Sequence, residues 1–194
     1  MKPWARRIVL SALVVLGLSA GAANGKECAG VSFPDQAQVE GANLSLNGLG
    51  LRLATMLKVK VYVAALYVGK KSNDSGAILE SSGPTKLVLQ FVRDVGADDI
   101  RKGWDEGFEK NAKGQLPALK DRIATLNGFM TDMKSGQKLT FIRKPGIGIQ
   151  VDIDGATKGT ISGDDFAKAF LSIWLGNPPN QEIKAGLLGG ACGG

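Results

Sequence analysis

The chain has 194 residues, 44% of them hydrophobic, with 24 Lys and Arg against 18 Asp and Glu and no histidine. The missing histidine excludes Ser-His-Asp and Cys-His nucleophilic schemes, histidine-ligated zinc and histidine-ligated haem; no metal and no cofactor is expected, and any catalysis would fall to Tyr, Lys, Arg or carboxylates. The net charge of +6 drops to +3 without Lys2, Arg6 and Arg7, and a balance that mild, with no basic run, gives no reason to expect nucleic acid as a partner.

The first 25 residues follow the order of a secretory signal peptide: a basic start, an apolar run from Ile8 to Ala20, then the small residues 20-AGAANG-25. The apolar run is shorter than the roughly 20 residues a spanning helix needs. The expected organisation is therefore a signal peptide over 1–25, cut after Gly25 or Ala22, and one domain over 26–194 that is periplasmic or secreted. No stable membrane span is expected after cleavage. Cys28 and Cys192 sit near the two ends of that domain. In an oxidising compartment they form either a bridge between the termini or two free thiols on tails, the second tail being the glycine-rich 189-GGACGG-194.

From 31 to 69 the apolar residues alternate as in strands, through Leu44, Leu46, Leu49, Leu51 and Leu53 and then Val59, Val61 and Val63. A polar loop with a short helix is expected over 71–84, and a strand over 85–95. Ile100, Trp104 and Phe108 mark one helix; Leu119, Ile123, Leu126, Met130 and Met133 mark a second. Gly103 and Gly107 lie inside the first, where each costs about 1 kcal/mol against Ala, so they point to close packing or to space kept for something else. Strands follow over 137–144, 147–153 and 157–162, the last two joined by the Asp154-Gly155 turn. A final helix runs from 163 until Gly176 and Pro178-Pro179 stop it. Strands, helices, strands, helix without repeat or linker give an α+β domain with an antiparallel sheet rather than an alternating βαβ fold.

Gly48-x-Gly50 and 146-GIG-148 are not dinucleotide fingerprints, since neither has the third glycine nor the following helix. The pairs Asp98-Asp99 and Asp164-Asp165 fall at predicted helix starts, where acids are favoured. The segment around Arg52 carries more. If 44–55 and 58–68 form a hairpin centred on Leu57, Arg52 faces Tyr62, with Gly48, Gly50, Ala54, Lys60 and Ala64 on the same face. Leu49, Leu51, Leu53, Val61, Val63 and Ala65 then make an apolar core face. A floor of small residues bearing a guanidinium, a phenol and an ammonium leaves room above it for a carboxylate or enolate oxygen. The competing reading is an exposed face on which Arg52 makes a surface ion pair.

The stretches 31-VSFP-34, 46-LNGLGLR-52, 58-KVKVYVAALYV-68, 91-FVRDV-95, 145-PGIGIQVDIDG-155 and 162-SGDDFAKAFLSIWLG-176, in this order, resemble the chalcone isomerase-like family, and within it an exported bacterial branch. The resemblance implies a large antiparallel sheet with helices layered on one face and a cleft between them. In plant chalcone isomerases the cleft cyclises a chalcone without cofactor, and Arg52 matches their strand arginine. Their strand threonine is Tyr62 here, as in the plastid fatty-acid-binding branch. Their helix tyrosine corresponds to Ile100, their asparagine to Gly107, and their Thr-Met pair to Ile173-Trp174.

Those replacements remove the polar network that isomerisation needs and make the cleft wider and more apolar. The expectation is a non-catalytic protein that binds a small amphipathic acid such as a fatty acid. Arg52, Tyr62 and Lys60 stand at its polar end, and Ile100, Gly107, Ile173 and Trp174 line the apolar part; no catalytic residue is assigned. The alternatives are a cofactor-independent isomerase or lyase acting on an enolisable substrate through Arg52 with Tyr62 or Lys60, and a partner-binding module with a vestigial cleft.

Overall fold

The computed structural model describes residues 25–54 and 57–193. The signal segment expected over 1–25 lies outside the described residues except for Gly25, which opens the first strand. β1 (Gly25–Cys28) and β2 (Val31–Pro34) pair with each other as a separate antiparallel hairpin. The main sheet is an antiparallel meander of β3 (Gln36–Val39), β4 (Ala42–Ala54), β5 (Val59–Val68), β6 (Thr85–Phe91), β7 (Lys138–Lys144), β8 (Gly148–Ile153) and β9 (Ala156–Ser162), each lying beside the next in chain order. The helices are α1 (Ser75–Leu79), α2 (Ala97–Ala112), α3 (Leu116–Phe129), α4 (Asp164–Leu175) and α5 (Gln181–Leu187). This is the α+β architecture that the element order implies. Met133, grouped by spacing with α3, instead lies beyond it in an isolated bridge to Val95. The segment 181–187 is a helix that no periodic signal announced.

The strand alternation feeds two cores, one on each face of the sheet. Tyr62, Leu66, Leu87, Leu89, Phe91 and Phe141 point toward the helices and pack with Trp104, Phe108, Phe166, Phe170 and Trp174. Full burial of each such side chain stabilises by about 2–3 kcal/mol. Leu44, Leu46, Leu49, Leu51, Val63 and Ala65 point to the other face, where Cys28, Val31 and Phe33 of the β1–β2 hairpin cover them. The face holding Tyr62 is thus the larger core rather than a bare floor, and the Leu49–Leu51 face is the smaller one.

β3 pairs only with Ala42–Ser45, so the rest of the β4 edge is unpaired by strands. The C-terminal segment covers it, as an edge strand must be covered to avoid pairing with another chain. The Leu53 amide donates to Asn180 Oδ1 at 3.2 Å, and Asn180 Nδ2 donates to the Leu51 carbonyl at 3.1 Å. Buried Asn47 donates to the Leu187 carbonyl at 2.7 Å and exchanges two hydrogen bonds with the Ser72 backbone. Cys192 then joins Cys28 in a disulfide, Cα to Cα 5.9 Å, which ties the tail to the N-terminal hairpin.

Candidate functional site

Arg52 and Tyr62 are direct cross-strand partners, in the register that a hairpin centred on Leu57 requires. That register holds from Gly48 to Arg52 and then breaks. A bulge between Arg52 and Leu53 pairs Leu53 with Lys60 and leaves Val61 as the extra residue. Because strand side chains alternate, one inserted residue reverses every face beyond it. Val61 therefore lines the cavity beside Tyr62, while Lys60 is exposed and not among the lining residues. The expected place of Lys60 at the polar end is corrected by this bulge.

The room expected above Gly48 and Gly50 is also taken. A Cβ on Gly48 would overlap the Gly186 carbonyl oxygen, and one on Gly50 would lie 2.7 Å from Ile183 Cγ1 and inside contact with the Ile183 carbonyl. The two glycines are the seat on which the α5 backbone rests. What stays open lies beyond them, between the end of the β4–β5 hairpin and α2. This cavity of about 530 Å³ is lined by Arg52, Ala54, Val61, Tyr62, Phe91, Ile100, Trp104 and Ile173, with Arg93, Asp99, Lys102, Glu106 and Lys110 among the residues at its rim. Its volume is in the range of small-molecule sites.

Tyr62 is buried, and its ring meets Phe91 edge-on at 5.6 Å between centroids. Trp174 Nε1 donates to Tyr62 Oη at 3.1 Å. Trp174 is fully buried behind the tyrosine and does not line the cavity, which corrects its expected place there. A phenol oxygen that accepts from an indole must turn its own proton elsewhere, and among the described residues no acceptor takes it. Burial raises the Tyr62 pKa above its ordinary value, with Arg52 and the Trp174 hydrogen bond pulling it partly back. The group is a neutral donor at any physiological pH. Part-buried Arg52 donates to the adjacent Leu53 carbonyl and has no carboxylate partner among the described residues. The surface ion pair considered for it is not formed among the described residues.

The glycines of α2 divide the two roles that the sequence left open. Gly107 lines the cavity as expected, and since a Cβ there would lie 2.7 Å from Ile173 Cγ2, its missing side chain also admits Ile173. A Cβ at Gly103 would meet nothing within 4 Å, which leaves that turn of α2 open at the cavity rim. Ile100 is buried in the cavity wall as expected. Phe91 and Trp104, which the sequence did not single out for the site, are buried wall residues too. The acidic pairs are helix-terminal: Asp98 and Asp99 lie in the first turn of α2, and Asp165 of α4 is held by Arg122 at 2.7 Å. Chemically, the site offers one fixed cation and one neutral hydroxyl donor at the end of an aromatic and aliphatic pocket.

Residues 25–189 match the family model described as chalcone isomerase-like. No curated protein matches the chain. Among solved structures the chain is similar to a fatty-acid binding protein of Arabidopsis thaliana, with a TM-score of 0.63 and 15% identity, covering 82% of this chain and 92% of that one. At that identity the likeness is one of fold.

Proposed function

The chain belongs to the chalcone isomerase-like family, and from that premise we propose that it is a non-catalytic carrier whose cavity binds a small amphipathic acid of the fatty-acid class. One observation carries the reading: Arg52, with no carboxylate partner among the described residues, and Tyr62, with an unclaimed proton, stand together at one end of a cavity whose inner wall of Val61, Phe91, Ile100, Trp104 and Ile173 is apolar and whose rim is charged. Both are donors, so the complementary group is acceptor-only and anionic, as a carboxylate is. The apolar wall suits the chain attached to it. That the fold neighbour is named for fatty-acid binding supports the same class. The isomerase or lyase alternative loses support here. Lys60, one of its proton carriers, is turned away by the bulge, and the raised pKa of Tyr62 disfavours the phenolate that a base would need. Export through the 1–25 segment is part of the proposal, and the N-terminal sequence of the mature protein tests it.

The test of the site is titration of the purified protein with a long-chain saturated fatty acid, alongside Arg52→Ala and Tyr62→Phe. A hydrogen bond to a charged group contributes about 1.5–3 kcal/mol, so Arg52→Ala should weaken binding roughly 10- to 100-fold. Tyr62→Phe should weaken it by a similar or smaller factor. Equal affinity in all three proteins would sink the clamp.

A further inference from the structure

The two large apolar side chains that are exposed among the described residues are Leu57, 86% accessible, and Ile147, 53% accessible. They lie at opposite ends of the sheet. Leu57 is in the β4–β5 turn, and Ile147 is in the turn between β7 and β8. Turns favour Gly, Asn and Asp because those residues accept tight backbone geometry and stay solvated. Leu57 is instead followed by Lys58 at φ 50°, a left-handed position. Folding gains nothing from a leucine presented there.

The surroundings of the two residues differ. Lys144, three residues from Ile147, is paired with Glu40. Lys58 and Lys60 are exposed and make no ion pair among the described residues. The bulge that removes Lys60 from the Arg52 site is what places it on the outside of this tip. The same hairpin supplies Arg52, Ala54, Val61 and Tyr62 to the cavity wall, so the tip stands next to the cavity mouth. Around that mouth Arg93, Lys102 and Lys110 are also exposed and unpaired among the described residues, whereas Asp94 is held by Lys134 at 2.9 Å. Asp99 and Glu106 are the rim acids left, and Glu182 lies near enough to Lys58 for its carboxyl to feel that charge.

We propose that the β4–β5 tip docks the protein on an anionic lipid surface, with Leu57 entering the acyl boundary, Lys58 and Lys60 at the headgroups and the cavity mouth facing the bilayer. One apolar anchor within a basic surround is the chemistry of reversible interfacial attachment: apolar area supplies depth, and lysines supply selectivity for negative headgroups. Docking does not depend on what the cavity holds, so it stands or falls separately from the ligand reading.

Co-sedimentation of the purified protein with vesicles tests it, using phosphatidylcholine alone or mixed with phosphatidylglycerol. The wild type should sediment with the mixed vesicles, weakly or not at all with phosphatidylcholine, and less as salt rises. Leu57→Ser and the double variant Lys58→Glu/Lys60→Glu should each reduce binding at least fivefold. Ile147→Ser and Arg52→Ala should sediment as wild type, the second even if it no longer takes up fatty acid. The proposal is overturned if the wild type ignores anionic vesicles, binds both kinds equally, or loses as much binding through Ile147→Ser as through Leu57→Ser.

Discussion

Tyr62 and Tyr67 are the only tyrosines in the chain, and their hydroxyls do different work. Tyr62 accepts from Trp174 and keeps its proton for the cavity. Tyr67, five residues along β5 and so on the opposite face, donates to the Pro34 carbonyl at 3.0 Å and pins the β1–β2 hairpin to the sheet. Burial raises both pKa values, that of Tyr67 to about 12 with Asp35 adding to the effect. The sign follows from linkage: the neutral phenol is the form the fold favours, so the unfolded chain releases its protons first. The Tyr67 contribution should be whole below pH 10, the ordinary tyrosine value, and be lost as pH rises through about 12, and that of Tyr62 should be lost in the same alkaline direction. Ultraviolet titration of tyrosinate should show little ionisation at pH 10, and Tyr67→Phe should flatten the alkaline fall in denaturant stability. Half-ionisation of both groups at pH 10 in the folded protein would contradict this.

At the scale of elements, glycines set how closely β4, α2, α4 and α5 approach. Gly50 carries the α5 backbone, Gly107 carries Ile173 of α4, and Gly103 carries nothing. Gly50→Ala should therefore destabilise by about 1–3 kcal/mol, the usual cost of overpacking. Gly103→Ala should stabilise by up to about 1 kcal/mol, since it gains helix propensity without a clash. Urea denaturation of the two variants beside the wild type measures both signs. In the sequence the four glycines Gly48, Gly50, Gly103 and Gly107 look alike, because a missing Cβ says only that something comes near or that nothing does. Which of the two holds depends on what the rest of the chain brings there.

For the whole molecule, the C-terminal segment closes the structure. It covers the open edge of β4 through Asn180, seats α5 on Gly48 and Gly50, and ends in a disulfide to Cys28 across a sequence separation of 164. Loop-closure entropy for a ring that long puts the stabilisation near 5 kcal/mol as an upper figure. The Cys28→Ser/Cys192→Ser variant should lose several kcal/mol in chemical denaturation. Its α5 amides should also exchange with solvent well before those of β5, which is paired on both sides. Uniform exchange in the two elements would mean that the bridge does not hold the tail.

Local pattern determined the elements that have a period: the alternating strands of the meander, the amphipathic α2 and α4, and the Arg52–Tyr62 pairing, because hairpin register follows from alternation about a turn. It also determined the groups at the polar end, an arginine and a tyrosine on one strand face, while the Trp174 hydrogen bond decides that the tyrosine is left as a donor. Only the tertiary structure decided which face of that hairpin became the larger core, that Lys60 leaves the site and Val61 enters it, that Trp174 stands behind Tyr62 rather than in the cavity, and that α5 fills the space above the glycines. The physical reason is common to these cases. A bulge, a backbone seated on a glycine and an indole aimed at a phenol are relations between segments far apart in the chain, and no local period records them.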